Sequence, residues 1–170
     1  MRIGLIGAGA WGTAFALHLA RTKKEILLWV FEQELFNIVK QTRENSFYLP
    51  GFALPENISF TNNIKDVPGF SSDIIIAPPS FALRKTVGAI SEELENKKVL
   101  VLTKGIENGT NLFMSEVIRE VTHEKAKVAS LSGPSFAREV AEGLFTSTVV
   151  ASRDKELALY FQKAMHSNTF

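Results

Sequence analysis

The sequence predicts an α/β fold: a doubly wound, mainly parallel sheet with helices on both faces. Three observations predict it. Short β-branched runs alternate with amphipathic stretches of helical period. The strand-like runs are apolar almost throughout, as strands covered on both faces are. Between the first run and the first amphipathic stretch lie Gly7, Gly9 and Gly12, spaced G-x-G-x-x-G.

In chain order, "RIGLI" at 2–6 is the first strand and "TAFALHLAR" at 13–21 the first helix, joined by the glycine turn. A strand at 26–29 and a helix at 35–43 follow. The stretch "NSFYLPGFALPENISF" at 45–60 carries Pro50, Gly51 and Pro55 and reads as a surface loop. Strands at 73–77, 98–102 and 128–131 then alternate with helices at 82–94 and 112–121. Residues 144–151 form a further candidate strand and 155–165 a last helix. The 170 residues suffice for one substantial core and at most the beginning of a second unit.

Composition narrows the function classes. Nineteen Lys and Arg against eighteen Asp and Glu leave a formal charge of +1. No field of one sign directs the chain to nucleic acid or to an anionic membrane. The chain has no cysteine, which removes disulfides, thiolate metal sites and cysteine nucleophiles together. With three histidines, no metal site is expected either. The amino terminus "MRIGLIGAGAWG" passes at once into glycine-rich turn chemistry, unlike a signal peptide. No window approaches the ~20 apolar residues that span a bilayer. The expectation is a soluble, cytoplasmic protein without membrane insertion. The carboxyl terminus, "MHSNTF" directly after a helix-like stretch, reads like a cut chain.

A G-x-G-x-x-G that leaves a strand and opens a helix is the dinucleotide fingerprint of a Rossmann-like fold. Gly7 permits the tight turn, Gly9 lets backbone amides approach a pyrophosphate, and Gly12 lets the helix pack on the sheet. The anion then rests on the helix N-terminus. The second strand ends in "LWVFEQE", which places Glu32 twenty residues past Gly12. A carboxylate there accepts from the adenosine 2′-OH and repels a 2′-phosphate, which favours NAD over NADP. Glu34 is close enough to be the acid instead. Phe31 suits either the adenine face or plain core.

Three more strand ends carry chemistry-bearing residues to the same sheet edge. "IIIAPPS" at 74–80 stops on Pro78 and Pro79, neither of which can continue a ladder. Pro78, Pro79 and Ser80 are candidates to wall a cofactor, with Phe81 to stack on it, although a Pro-Pro step is also an ordinary strand terminator. "VLVLTKGIE" at 99–107 delivers Lys104 off a buried run, followed by Gly105. Lys104 is either a solvated loop lysine or a site lysine. "LSGPSFAREVAEG" at 131–143 places Gly133 and Ser135 before a helix, suited to an anionic or hydroxylated group or to a simple N-cap. Arg138 and Glu139 there could pair on a solvated face.

Taken in order, "GAGAWGTA", "LWVFEQE", "RENSFYLPGFALPENI", "PPSFALR", "LTKGIE" and "LSGPSFAREVAEG" resemble the amino-terminal domain of NAD-dependent glycerol-3-phosphate dehydrogenases over essentially the whole chain. The resemblance implies reversible reduction of dihydroxyacetone phosphate to sn-glycerol 3-phosphate, the precursor of glycerophospholipids. It implies that Gly7, Gly9, Ala10, Trp11 and Gly12 hold the cofactor, with Phe31 and Glu32 around the adenosine. It gives Lys104 contacts to both cofactor and substrate, Gly133 and Ser135 contacts to substrate, and Ala137 a contact to cofactor. Ala10 stands where many members have serine, and "APPS" where "AVPS" is more usual. Members continue for roughly another 150 residues into a helical domain. That domain brings a second lysine in a "K-N-V" motif and an arginine-bearing phosphate motif, neither of which this chain contains.

The domain expectation is therefore residues 1–170 as an NAD-binding domain, with the helical substrate domain absent. Such a chain should bind NAD without turnover, leaving Lys104 as an electrostatic and positioning group, and the full-length enzyme should be a homodimer. The alternative is a stand-alone module that senses NAD and acts through a protein partner.

Overall fold

Every residue of "IGLI" at 3–6 and of "DIII" at 73–76 is buried, so both runs form central strands. The computed structural model describes residues 1–170. In chain order its strands are β1 (Arg2–Ile6), β2 (Glu25–Trp29), β3 (Glu44–Asn45), β4 (Leu49–Ala53), β5 (Ile58–Thr61), β6 (Asp73–Ile76), β7 (Lys98–Val101), β8 (Lys127–Ser132) and β9 (Val149–Ser152). Seven of them form one sheet in the order β5-β2-β1-β6-β7-β8-β9. All its pairings are parallel except β8 with β9.

The helices are α1 (Ala10–Arg21), α2 (Gln33–Thr42), α3 (Asp66–Phe70), α4 (Ser80–Gly88), α5 (Met114–Val121), α6 (Ala137–Glu142) and α7 (Lys155–Met165). Period-two alternation divides the sheet's side chains between two cores. Ile3, Leu5, Leu28, Ile75 and Leu100 pack with Phe15 of α1, Leu35 of α2 and Phe161 of α7. Ile6, Ile74, Ile76, Val99 and Val101 pack on the other face with Val67 of α3, Leu83 of α4 and Ile118 of α5. Phe15, fully buried, anchors the first core, and truncating such a residue to alanine costs about 3–5 kcal/mol.

The doubly wound, mainly parallel sheet agrees with the sequence expectation. Residues 45–60 do not form the expected loop. Glu44–Asn45 pairs antiparallel with Leu49–Ala53, and Ile58–Thr61 joins the main sheet as its edge, parallel to β2. Pro50 is tolerated because β4 has only one partner strand. Arg43 holds the returning chain: Nε donates to the Leu54 carbonyl at 2.7 Å, and Nη2 to those of Pro55 at 2.5 Å and Ile58 at 2.7 Å. The helix expected at 82–94 ends at Gly88, and the one expected from 13 begins at Ala10. No helix is long and apolar enough to cross a membrane.

The strand order positions the site. From β1 the chain moves to β2 on one side and later to β6 on the other, so the strand order reverses between β1 and β6. In open α/β sheets such a reversal opens a crevice at the carboxyl edge, where ligands are received.

Candidate functional site

The glycine turn is built by close backbone approach. A Cβ on Gly12 would lie 1.9 Å from the Gly7 carbonyl oxygen, and one on Gly7 would lie 2.8 Å from the Ala77 carbonyl carbon. Gly9 differs, because a Cβ there meets nothing within 4 Å. It is the N-cap of α1, with no side-chain cap and no acid in the first turn. The first N–H groups of this helix therefore lack a side-chain cap and have the positive end of the macrodipole behind them. The shape and charge of this loop fit a pyrophosphate.

Beneath the loop, Asn45 is 0% exposed. Its Nδ2 donates to the Ala8 carbonyl at 2.8 Å and to Thr13 Oγ1 at 2.7 Å, and its Oδ1 accepts from the Tyr48 N–H at 3.0 Å. One buried amide thus ties the glycine loop to the β3–β4 hairpin. Sequence reasoning assigned Asn45 nothing. Its one signal was a place in "RENSFYLPG", where a short polar residue precedes an aromatic turn.

At the end of β2, Phe31 is 74% exposed and its ring stands edge-on to Trp29, with centroids 5.8 Å apart. Of its two readings, plain core is excluded. Glu32 is the N-cap of α2, and its Oε1 accepts from the Tyr48 hydroxyl at 2.7 Å. That bond and the adjacent carboxylate charge raise the Tyr48 pKa above the ordinary phenol value. Glu34 lies exposed in the first turn of α2.

Lys104 leaves the end of β7 and is exposed, so its charge is not buried. Its ammonium donates to the Ser135 carbonyl at 2.9 Å and lies 5.7 Å from the Trp11 ring centroid, within cation–π range. The indole Nε1 of Trp11 is itself buried without a hydrogen-bond partner. Three motifs far apart in sequence, the glycine loop, "KGIE" and "GPS", therefore meet at one point. Ser135 is 5% exposed, and its hydroxyl lies 3.4 Å from the Gly133 carbonyl. Phe136, not Ser135, occupies the N-cap position of α6, and Ala137 is partly buried behind it.

The Pro-Pro step stands between these groups. Pro78 is buried and its carbonyl accepts from Thr103 Oγ1 at 2.8 Å; Pro79 is the N-cap of α4, and Phe81 is 83% exposed. Phe31 and Glu32 do not join the Lys104 cluster. Three strand spacings separate β2 from β7, about 14 Å at ~4.8 Å each. That separation suits an extended ligand lying across the crevice.

A family profile described as "NAD-dependent glycerol-3-phosphate dehydrogenase N-terminus" matches residues 2–158. The glycerol-3-phosphate dehydrogenase (NAD(P)+) of Halothermothrix orenii is 42% identical over 170 residues, which cover 99% of this chain and 49% of that protein. Its namesake in Syntrophotalea carbinolica is 38% identical over 173 residues, covering 100% and 52%. Among solved structures, the glycerol-3-phosphate dehydrogenase of Coxiella burnetii superposes with a TM-score of 0.93 at 30% identity, over 99% of this chain and 52% of that one. The chain spans about half the length of the curated relatives it matches.

Proposed function

Because the chain belongs to the NAD-dependent glycerol-3-phosphate dehydrogenase family, matching its amino-terminal part, we propose that it is the cofactor domain of an enzyme that interconverts dihydroxyacetone phosphate and sn-glycerol 3-phosphate. Residues 1–170 form the NAD-binding unit, and the substrate-closing helical domain lies outside them. One observation carries the reading: Lys104 Nζ sits between the Ser135 carbonyl and the Trp11 ring, where a nicotinamide and a small phosphorylated substrate would adjoin.

In this reading Gly7, Gly9, Ala10, Trp11 and Gly12 take the pyrophosphate on backbone N–H groups, with no hydroxyl at Ala10 to add. Phe31 and Glu32 hold the adenosine, and Glu32 selects NAD over NADP. Pro79, Phe81 and Ala137 line the cofactor, and Gly133 and Ser135 border the substrate. The bound nicotinamide supplies or accepts the hydride. As hydride reaches the carbonyl carbon, negative charge grows on its oxygen, and the Lys104 ammonium stabilises it. Lys104 uses one of its three N–H donors on Ser135, which leaves two to turn toward that oxygen. It orients and stabilises; the proton comes from a group outside this chain. A cytoplasmic location and a dimeric full-length enzyme complete the proposal.

The test is a titration of the 170-residue chain with NADH and NADPH, followed by a turnover assay with dihydroxyacetone phosphate. Tight NADH binding without turnover is expected, and turnover at an ordinary enzymatic rate would contradict this division of roles. With the carboxyl-terminal half joined to the chain, Lys104→Ala should lower kcat/KM by on the order of a hundredfold. Little change would return Lys104 to a solvated loop. A native polypeptide that stops at this length, yet binds NAD, would favour a stand-alone sensing module.

A further inference from the structure

Arg84 lies on α4, four residues after Ser80 opens that helix, and faces the loop that follows Lys104. Its guanidinium meets Glu107 as a two-point fork: Nε donates to Oε1 and Nη2 to Oε2, both at 2.8 Å. Nη1 reaches on to Oε1 of Glu120 on α5 at 2.9 Å, and Thr110 Oγ1 donates to Glu107 Oε2 at 2.6 Å. The arginine fork first, and the threonine second, pull the Glu107 carboxyl down to about 2. The backbone is fixed at the same residue, with Glu107 N–H donating to the Leu112 carbonyl at 2.9 Å and Asn111 N–H to the Glu107 carbonyl at 3.0 Å.

Glu107 is thus a fixed post three residues beyond Lys104. A second post stands just before it. Thr103 Oγ1 donates to the Pro78 carbonyl, and Leu102 N–H donates to that of Ile76 at 2.8 Å. Both posts are anchored on the β6–α4 segment, one before α4 begins and one through its Arg84. Between them Gly105 has φ +104°, and a Cβ there would lie 3.8 Å from Ser80 of the same helix. Without the Glu107 post, a glycine beside an exposed lysine leaves the ammonium free to swing into water.

We propose that Arg84 is a positioning residue for Lys104: through Glu107 it fixes the direction in which the ammonium leaves the sheet edge, toward Trp11 and Ser135. The fork matters more than the charge. A planar guanidinium bound at two points resists rotation of the carboxylate, whereas a lysine at the same place is a point charge on a flexible stem. Exposed ion pairs add little to stability, so the effect is one of placement. The inference rests on the reading of Lys104 as a site residue.

Arg84→Met, Arg84→Lys and Glu107→Gln test it in the 170-residue chain. Amide hydrogen exchange is read at Glu107 and Asn111, with Leu102 as the strand reference, alongside titrations with NADH and with AMP. Arg84→Met and Glu107→Gln should each speed exchange at Glu107 and Asn111 by about tenfold, a factor set by losing a charge-assisted bond, and leave Leu102 unchanged. NADH should bind a few-fold more weakly with AMP unaffected, since AMP occupies only the adenosine end. Arg84→Lys should recover part of both effects. Unchanged exchange at Glu107, or equal weakening of NADH and AMP, overturns the proposal. Lys104→Ala in the same titrations separates the two readings: if NADH affinity ignores it, the site role of Lys104 falls, while the exchange data still decide whether Arg84 holds the loop.

Discussion

The Tyr48 hydroxyl donates to Oε1 of Glu32 across 2.7 Å, joining the β3–β4 hairpin to the end of β2 at the residue proposed to meet the adenosine ribose. The bond occupies one carboxylate oxygen and leaves the other to accept from a 2′-OH. Glu32→Ala removes both the acceptor and the charge that opposes a 2′-phosphate. NAD affinity should fall by ~10- to 100-fold, the cost of a hydrogen bond to a charged group, while NADP affinity falls less or rises. Parallel titrations check it, and an unchanged NAD-to-NADP ratio would remove Glu32 from the ribose. Tyr48→Phe leaves the carboxylate in place but unanchored, so a smaller loss of about two- to fivefold is expected.

Two glycines of one motif should fail in opposite ways. Gly12→Ala drives a Cβ to 1.9 Å from a backbone oxygen that cannot yield, and overpacking of this kind costs about 1–3 kcal/mol or more. Gly9→Ala adds a methyl to open space at an N-cap, which should leave stability within about 1 kcal/mol. The same methyl occupies the path of an approaching pyrophosphate, so NADH binding should drop by tenfold or more. Urea denaturation and NADH titration of both variants check the contrast. Stable Gly12→Ala, or full NADH affinity in Gly9→Ala, would show that the loop is shaped by something other than close approach.

Asn45 should behave as a structural joint of the cofactor loop. Removing its amide by Asn45→Ala takes one donor each from the Ala8 carbonyl and the Thr13 hydroxyl, which keep their 3.3 Å bond to each other, and takes the acceptor from the Tyr48 N–H, for an overall cost of about 1–3 kcal/mol. Asn45→Asp should be worse than alanine, since it sets a buried carboxylate against the Ala8 carbonyl oxygen. Urea midpoints of the two variants decide the order, and Asp milder than Ala would refute it.

What the sequence showed and what it hid follow from where each interaction comes from. β1, β6 and β7 were legible because "IGLI", "III" and "VLV" are apolar without interruption, which only two-sided burial explains. The glycine turn was legible because three fixed spacings meet one geometric demand. The β3–β4 hairpin and the edge strand β5 were not. Proline and glycine inside β4 read as breakers, and the hairpin closes through long-range side chains, with Arg43 on three carbonyls and Asn45 on the glycine loop. The approach of Lys104 to Ser135 was visible only as two strand ends at one edge; the 2.9 Å contact depends on how far each loop turns back. Arg84 was invisible as a partner of Glu107, because nothing in "PPSFALR" or "LTKGIE" fixes the rotation of one loop against the other.

His18 links pH to stability. It is 4% exposed on α1, its ring tilted at 40° against that of Phe170 with centroids 4.6 Å apart, and its Nε2 lies 2.8 Å from the Met165 carbonyl oxygen. A carbonyl only accepts, so Nε2 carries the hydrogen and a neutral ring has Nδ1 bare. Burial holds the imidazole pKa below its ordinary value; the Met165 carbonyl offsets part of this, while Lys24, Arg21 and His166 add to the depression. The folded chain thus refuses a proton that the unfolded chain accepts below the ordinary value of about 6.5. Its contribution is fully present above that pH and is lost as pH falls toward the depressed folded value. The Glu107 carboxyl, held at about 2, titrates outside this range. The urea midpoint should therefore drop between pH 8 and pH 5.5. In His18→Gln, which keeps an N–H donor for Met165, the midpoint should be lower at pH 8 and flatter across the interval. Parallel slopes for the two proteins would assign the pH dependence to other groups.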